Sequence, residues 1–255
     1  MPSFPPVRAV ERAIDVIQAL NRHPVATLDL LHRQTAIPKP TLVRILETLA
    51  TRGLVAHAPQ YGAYCLTSGV QTLSSGYHGE PRIVEAAGAL CEELTRRIKW
   101  PLALAVLDYD AMIVRYSTIP HSPLALLHST LNMRLSLVAR ALGRAYLAFC
   151  GREECRALLD ILRLSAHAED GLAHDRRAVQ AMLRETRAQG YALREPGIRP
   201  VSGTLAVPVR EGPRVVASLG VTWIASALTN EQAVERLLPQ LQGLALRIER
   251  RLKEL

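Results

Sequence analysis

A chain of 255 residues, 49% hydrophobic and 21% charged, can bury a core and has room for two domains, which excludes a disordered protein. Its 31 Lys and Arg against 23 Asp and Glu leave a net charge of +8. Only Lys39, Lys99 and Lys253 are lysines, so the charge is nearly all arginine and favours an anionic partner. No run of about 18 apolar residues is present, and the opening residues Met1 to Pro6 lack the charged and apolar regions of a signal peptide; a cytoplasmic protein without membrane contact is expected. Cys65, Cys91, Cys150 and Cys155 form no C-x-x-C pair and read as small buried hydrophobes, with neither a disulfide framework nor a metal site.

In chain order, Val10, Ala13, Ile14, Ile17 and Leu20 form one apolar helical stripe, and Asn21 to Pro24 stop it. Thr27 can cap a second helix containing Leu28, Leu30 and Leu31. Ala36-Ile37 make a turn, and Pro38 opens a third helix over 38–52. There Leu42, Ile45, Leu46 and Leu49 share a face, with Pro40, Arg44, Glu47 and Thr51 opposite, flanked by Thr41 and Thr48 on one side and Val43 on the other. Gly53 ends the helix. Residues 54–58 and 63–66 read as a hairpin about the turn Pro59-Gln60-Tyr61-Gly62.

Three helices followed by a hairpin describe a winged helix-turn-helix over 1–75; a three-helix module for protein contacts is the plainer reading. The third helix would enter the major groove through its N-terminal half. Lys39 lies at its start, where the dipole favours phosphate. Arg44 can reach guanine O6 and N7 or a phosphate. Thr41 and Thr48 can bond phosphates or touch thymine methyls. Glu47 can accept from cytosine N4 or remain a solvated charge, and Pro40 and Val43 complete the surface. Gln60 and Tyr61 could meet the DNA backbone from the wing, while Tyr64 and Leu66 pack inward. Seven basic against four acidic residues through position 79 give only +3. One such module binds DNA weakly and in a salt-dependent way, so two protomers on an inverted repeat are expected.

Further on, residues 76–99 read as a linker helix striped by Ile83, Ala86, Ala87, Leu90 and Leu94, either a dimer seam or a helix packed on its own domain. Strands are expected at 102–107 and 111–116, helices at 138–150, 153–163 and 175–189, and strands at 203–210 and 214–224 about the turn Glu211-Gly212-Pro213. A helix over 230–253 should bend at Pro239. Residues 100–255 thus form an α+β domain. No G-x-S-x-G, H-E-x-x-H, Walker loop or dinucleotide fingerprint occurs, and the eight histidines are scattered, so neither a catalytic residue nor a cofactor is expected.

The run Leu28 to Leu46, continued by Glu47-Thr48-Leu49 and Arg52-Gly53-Leu54-Val55, resembles the IclR family of bacterial transcription regulators. Ala36 stands for a usual Gly and Pro40 for a usual Ser, while Thr41 and Arg44 match the recognition segment. Ser136 to Ala145 resembles a family motif through Leu137, Ala141, Gly143 and Ala145, and Thr204 to Val209 resembles a family strand. Trp100-Pro101, Asp110-Ala111-Met112 and Leu147-Ala148-Phe149-Cys150 are similar to the subgroup that activates hydroxyphenylpropionate breakdown. The resemblance implies a GAF-like effector-binding domain and control of aromatic-acid catabolism. An aromatic acid needs an apolar slot and a cationic or N–H donor. Trp100, Leu104, Leu126 and Met133 are candidates for the slot, and Arg115, His128 and Arg140 for the anion. Arg140 replaces a Thr of the family motif. Asn132, Ser202 and Thr204 can offer polar side-chain groups.

The expected protein is a DNA-binding regulator whose partners are double-stranded DNA, a small carboxylate, further copies of itself as dimer or tetramer, and RNA polymerase. The alternative is an enzyme acting on a small organic acid, with the N-terminal module used for assembly; a protein-interaction adaptor is a third reading.

Overall fold

The computed structural model describes residues 5–59, 62–73 and 82–255. The chain divides into an N-terminal unit, Met1–Gly79, and a C-terminal unit, Glu80–Leu255.

The N-terminal unit runs α1 (Arg8–Arg22), β1 (Ala26–Thr27), α2 (Leu28–Thr35), α3 (Lys39–Thr51), β2 (Val55–Ala58) and β3 (Ala63–Leu66), with an antiparallel sheet ordered β1-β3-β2. Its core is Val16, Leu20, Leu31, Ile37, Leu42, Leu46, Leu49 and Val55, with Tyr64 and Leu66 packed against it. The apolar stripe of α1 is buried only in its C-terminal half, because α2, α3 and β3 pack there; Val10 and Ile14 are exposed. The Thr27 hydroxyl accepts from the Leu30 amide and caps α2. Between α2 and α3 the backbone reverses through Ala36 at φ 56°, whose amide donates to the His32 carbonyl. Gly53, at φ 71°, follows α3 in a conformation that a β-carbon would strain.

The C-terminal unit contains α4 (Arg82–Ile98), β4 (Leu102–Asp108), β5 (Ala111–Ser117), β6 (Arg134–Ser136), α5 (Ala141–Phe149), α6 (Arg152–Leu162), a 3₁₀ segment (Ala168–His174), α7 (Arg176–Gln189), β7 (Ala192–Leu193), β8 (Ser202–Glu211), β9 (Arg214–Ile224) and α8 (Asn230–Glu254). The antiparallel sheet is ordered β6-β5-β4-β9-β8-β7. Alternation divides its two faces. Leu102, Leu104, Leu205, Val207, Leu219 and Val221 bury against α4 and α8, whereas Ala105, Met112, Val114 and Ala206 bury against α5 and its neighbours. This is the expected α+β architecture.

Several elements differ in detail. The helix read as a linker over 76–99 is present over Arg82–Ile98, residues 76–81 lying outside the described residues, and it belongs to the C-terminal unit, since Ile83, Ala86, Ala87 and Leu94 are buried in the same core as α8. The helix read over 138–150 starts at Ala141, because the Ser136 hydroxyl accepts from the amides of Val138 and Ala139 and holds 137–140 as a turn. Gly143 packs so close to that turn that a β-carbon would lie 2.1 Å from the Ser136 carbonyl oxygen. α8 continues through Pro239, which is exposed, so water can satisfy the Glu235 carbonyl released by the missing amide.

Candidate functional site

The first candidate surface is α3. Leu42, Leu46 and Leu49 anchor one face in the core, which fixes the opposite face outward. Lys39, Pro40, Arg44, Glu47 and Thr48 are exposed there, and Thr41 and Val43 are half-buried at its margins. The Lys39 ammonium pairs with Asp29 at 2.5 Å, and its hydrogen bond and charge lower the Asp29 carboxyl below its ordinary range. Both groups are exposed, so a phosphate can compete for Lys39 at small cost. The Thr48 hydroxyl donates to the Arg44 carbonyl at 2.7 Å, which commits its proton inside the helix and leaves only its lone pairs and methyl outward. Arg44 has no side-chain bond among the described residues, and five N–H donors are therefore free for a base edge or phosphate. Gln60 and Tyr61, read as wing contacts, lie outside the described residues.

The second candidate is a cavity of about 90 Å³ in the C-terminal unit, on the α5 face of the sheet. β4 and β5 contribute Ala103, Val114 and Ser117, and the following loop contributes Ile119, Leu126, Leu127, Thr130 and Met133. Leu135 of β6, Arg140 to Leu142 at the start of α5, Arg194 and Arg199 of the loop before β8, and Ser202, Thr204 and Thr222 of the hairpin complete the wall.

Hydroxyls pair within this wall: Thr130 donates to Ser117 Oγ at 3.0 Å, and Thr204 and Thr222 lie 3.1 Å apart across β8 and β9. Arg140 donates from Nε to Glu169 at 2.8 Å and from Nη2 to the other carboxylate oxygen, a bidentate pair. Arg194 donates to neutral acceptors, among them Ser202 Oγ at 2.9 Å and the Arg199 carbonyl at 3.3 Å. Burial, then the charges of Arg140 and Arg199, push its pKa down to about 10. Arg199 is lowered by burial and by Arg140, and its side chain has no partner among the described residues. Its backbone is at φ 55°.

Arg144 supports the cavity from behind. It donates to the Val138 carbonyl at 2.7 Å and the Leu193 carbonyl at 3.3 Å and pairs with Glu195, so the turn before α5 and the loop after β7 move together.

Of the residues read from sequence, Leu126, Met133, Arg140, Ser202 and Thr204 line this cavity. Trp100 and Leu104 do not. The alternation of β4 sends Leu104 to the α4 and α8 face, where both are core. Arg115 and His128 line a separate surface hollow with Tyr116 and Leu131. Asn132 stands beneath Arg115, accepting its Nη1 at 3.0 Å, and turns the chain at φ 60°. Arg194, Arg199 and Thr222 were missed from the sequence. Two arginines on either side of Pro196-Gly197, just before a strand opening Ser202-Gly203-Thr204, were the available signal.

A family model described as the IclR helix-turn-helix domain matches residues 9–59, and one described as the bacterial transcriptional regulator IclR C-terminal domain matches residues 76–250. The HTH-type transcriptional regulator XynR of Escherichia coli (strain K12) is 31% identical over 252 residues, covering 95% of this chain and 97% of that protein. The crystal structure of the Thermotoga maritima IclR superposes with a TM-score of 0.66 at 17% identity, covering 95% of this chain and 98% of that one. An IclR homologue from Microbacterium hydrocarbonoxydans complexed with 4-hydroxybenzoate superposes with a TM-score of 0.65 at 21% identity, covering 97% of this chain and all of the other.

Proposed function

The chain belongs to the IclR family of bacterial transcriptional regulators, and from that premise we propose that it controls catabolic genes in response to a small, apolar-bodied carboxylate, with an aromatic acid as the first candidate. The family places DNA binding in the N-terminal unit and effector binding in the C-terminal unit. The observation that carries the finer reading is the pair Arg194 and Arg199, cationic in an apolar-walled cavity and without a carboxylate of their own. A half-buried guanidinium lacking an anion is unfavourable until one arrives. Val114, Leu126, Leu127, Met133 and Leu142 offer the apolar wall for the ligand's body. The compound bound to the Microbacterium homologue is an acid of this chemistry, which makes it a rational probe.

On the DNA side, Arg44 reads a base edge or phosphate, Lys39 and Thr41 hold the backbone, and Pro40, Val43, Glu47 and Thr48 shape the contact. Two protomers of a cytoplasmic dimer or tetramer occupy an inverted repeat. The acid binds one arrangement of the oligomer better than another and so shifts its contacts with DNA or RNA polymerase.

The test is fluorescence anisotropy with DNA from upstream of the protein's own gene and its neighbours. It is run at two salt concentrations against scrambled competitor, with and without benzoate and 4-hydroxybenzoate. Sequence-selective, salt-sensitive binding altered by an acid is the expected result. Binding no better than to scrambled DNA under every condition defeats the regulator reading, and selective binding indifferent to every acid defeats the effector reading. An enzyme on a small acid is the rival; turnover of a bound acid by the purified protein would favour it.

A further inference from the structure

Arg140, Arg194 and Arg199 bring three positive charges to one small cavity, and among the described residues Glu169 is the single carboxylate bonded to any of them. Glu169 engages Arg140 through both of its oxygens, so that pair is already closed. The Arg194 guanidinium reaches only neutral oxygens: the Ser202 hydroxyl and carbonyl and the Arg199 carbonyl. Arg199 donates to nothing described, and its backbone is held at φ 55°, where a residue bearing a β-carbon is strained. Such strain persists where the surroundings over-determine a conformation, and ligand clamps are one such place. Arg140 and Arg199 both act to discharge Arg194, and the Glu169 carboxylate opposes them more weakly. The apolar part of the lining cannot help, because Val114, Met133, Leu135 and Leu142 have no polar side-chain group to offer.

The cavity therefore holds two uncompensated positive charges against an apolar wall. Resting on the reading of this cavity as the effector site, we propose that its ligand is a small dianion, a dicarboxylate or a phosphate monoester, and that Glu169 sets the count at two by occupying Arg140. A monocarboxylate bridging Arg194 and Arg199 would leave one cation buried and unpaired. A second acidic function removes that penalty. Ser202 and Thr204, beside Arg194, supply hydroxyls to the remaining acceptor oxygens.

The experiment is calorimetric titration of the full-length protein near neutral pH with matched acids: isophthalate against benzoate, glutarate against pentanoate, and propyl phosphate. The dianion of a matched pair is expected to bind about tenfold or more tightly than the monoanion, with the margin shrinking as salt is raised. Arg199→Gln should bring the two members of each pair within about threefold. Glu169→Gln, which frees Arg140, should instead tighten binding of every acid tested. A preference for propyl phosphate over both dicarboxylates assigns the dianion to the phosphate monoesters and upholds the charge count. Equal affinity of diacid and monoacid in the wild-type protein overturns the proposal while leaving a carboxylate effector in place. An unchanged margin in Arg199→Gln overturns it too. Failure of every acid and of propyl phosphate to bind overturns the effector reading itself, and this inference with it.

Discussion

Arg44 of α3 and Arg194 of the cavity are the same side chain under opposite constraints. Arg44 projects from an exposed helical face, where water solvates it and its orientation follows from Leu42, Leu46 and Leu49 locking the other side. Arg194 is half-buried beside two more arginines, and its bonds reach neutral oxygens alone. The solvated arginine costs the protein little when free, and in the proposed DNA contact it contributes only when DNA is present. The enclosed one makes the empty cavity less favourable, so the proposed anionic ligand would recover more per contact. A DNA surface can thus be built from a single helix, whereas the cavity needs strands, loop and helix from across the C-terminal unit.

The contrast can be broken most forcefully at a buried ion pair. Asp170 is fully enclosed and accepts from Arg134 at 2.8 Å and Ser165 at 2.6 Å. Burial raises its pKa, but the bonds from Ser136, Ser165 and Arg134 outweigh this and leave it below the ordinary value. Asp170→Asn is expected to cost about 3 kcal/mol in urea unfolding, because it breaks the fully enclosed half of the network and leaves Arg134 only the more exposed Asp110, at 3.0 Å. The depressed carboxyl contributes stability above its unfolded value of 3.8, and the contribution is lost as pH falls through the lower folded value. An acid unfolding midpoint unchanged by Asp170→Asn would contradict this.

Next in size is Arg44→Ala. Removing a base-edge or phosphate contact should weaken selective DNA binding by about 1–3 kcal/mol per half-site, while titration with an acid is unaffected. Operator affinity equal to wild type would remove Arg44 from the interface. Arg194→Met sharpens the comparison: the empty protein should melt at the same temperature or about 2 °C higher, and acid affinity should fall about tenfold or more. A drop in melting temperature without loss of acid binding would make Arg194 structural. The smallest effect is expected at Ala36, whose φ of 56° suits glycine; Ala36→Gly should stabilise the N-terminal unit by about 1 kcal/mol in thermal unfolding.

The difference between the regions also explains what could be read from the sequence. The outward face of α3 follows from a 3.6-residue period over 13 residues, and Thr27 and Gly53 mark neighbouring ends by local chemistry. The two-residue strands β1 and β7 carry no period at all and exist because β3 and β8 are there to pair with them. β7 matters for the cavity, since its pairing with β8 brings the loop with Arg194 and Arg199 to the wall. Thr222 was hidden by a register shift between Val209 and Arg210, which moves the partner of Thr204 by one residue from a simple count about the turn. Leu104 reads as a slot candidate because an apolar strand buried on both faces does not declare in sequence which face borders the cavity. Arg140 stood out in sequence as a cation in an apolar motif, but the Glu169 that closes it lies 29 residues away in a 3₁₀ segment without a sequence signal.

The order β6-β5-β4-β9-β8-β7 puts the long hairpin of β8 and β9 inside the sheet and leaves strands of three and two residues at its borders. β7 covers only Leu205 and Ala206 of β8, but further along that edge Pro208 has no amide to offer and the Arg210 amide already donates to Glu249, so it is a poor template for a strand from another molecule. Chains of this protein are therefore guarded against edge-to-edge aggregation through the C-terminal unit. Self-association there has to use helix faces or loops, where side chains rather than backbone choose the partner.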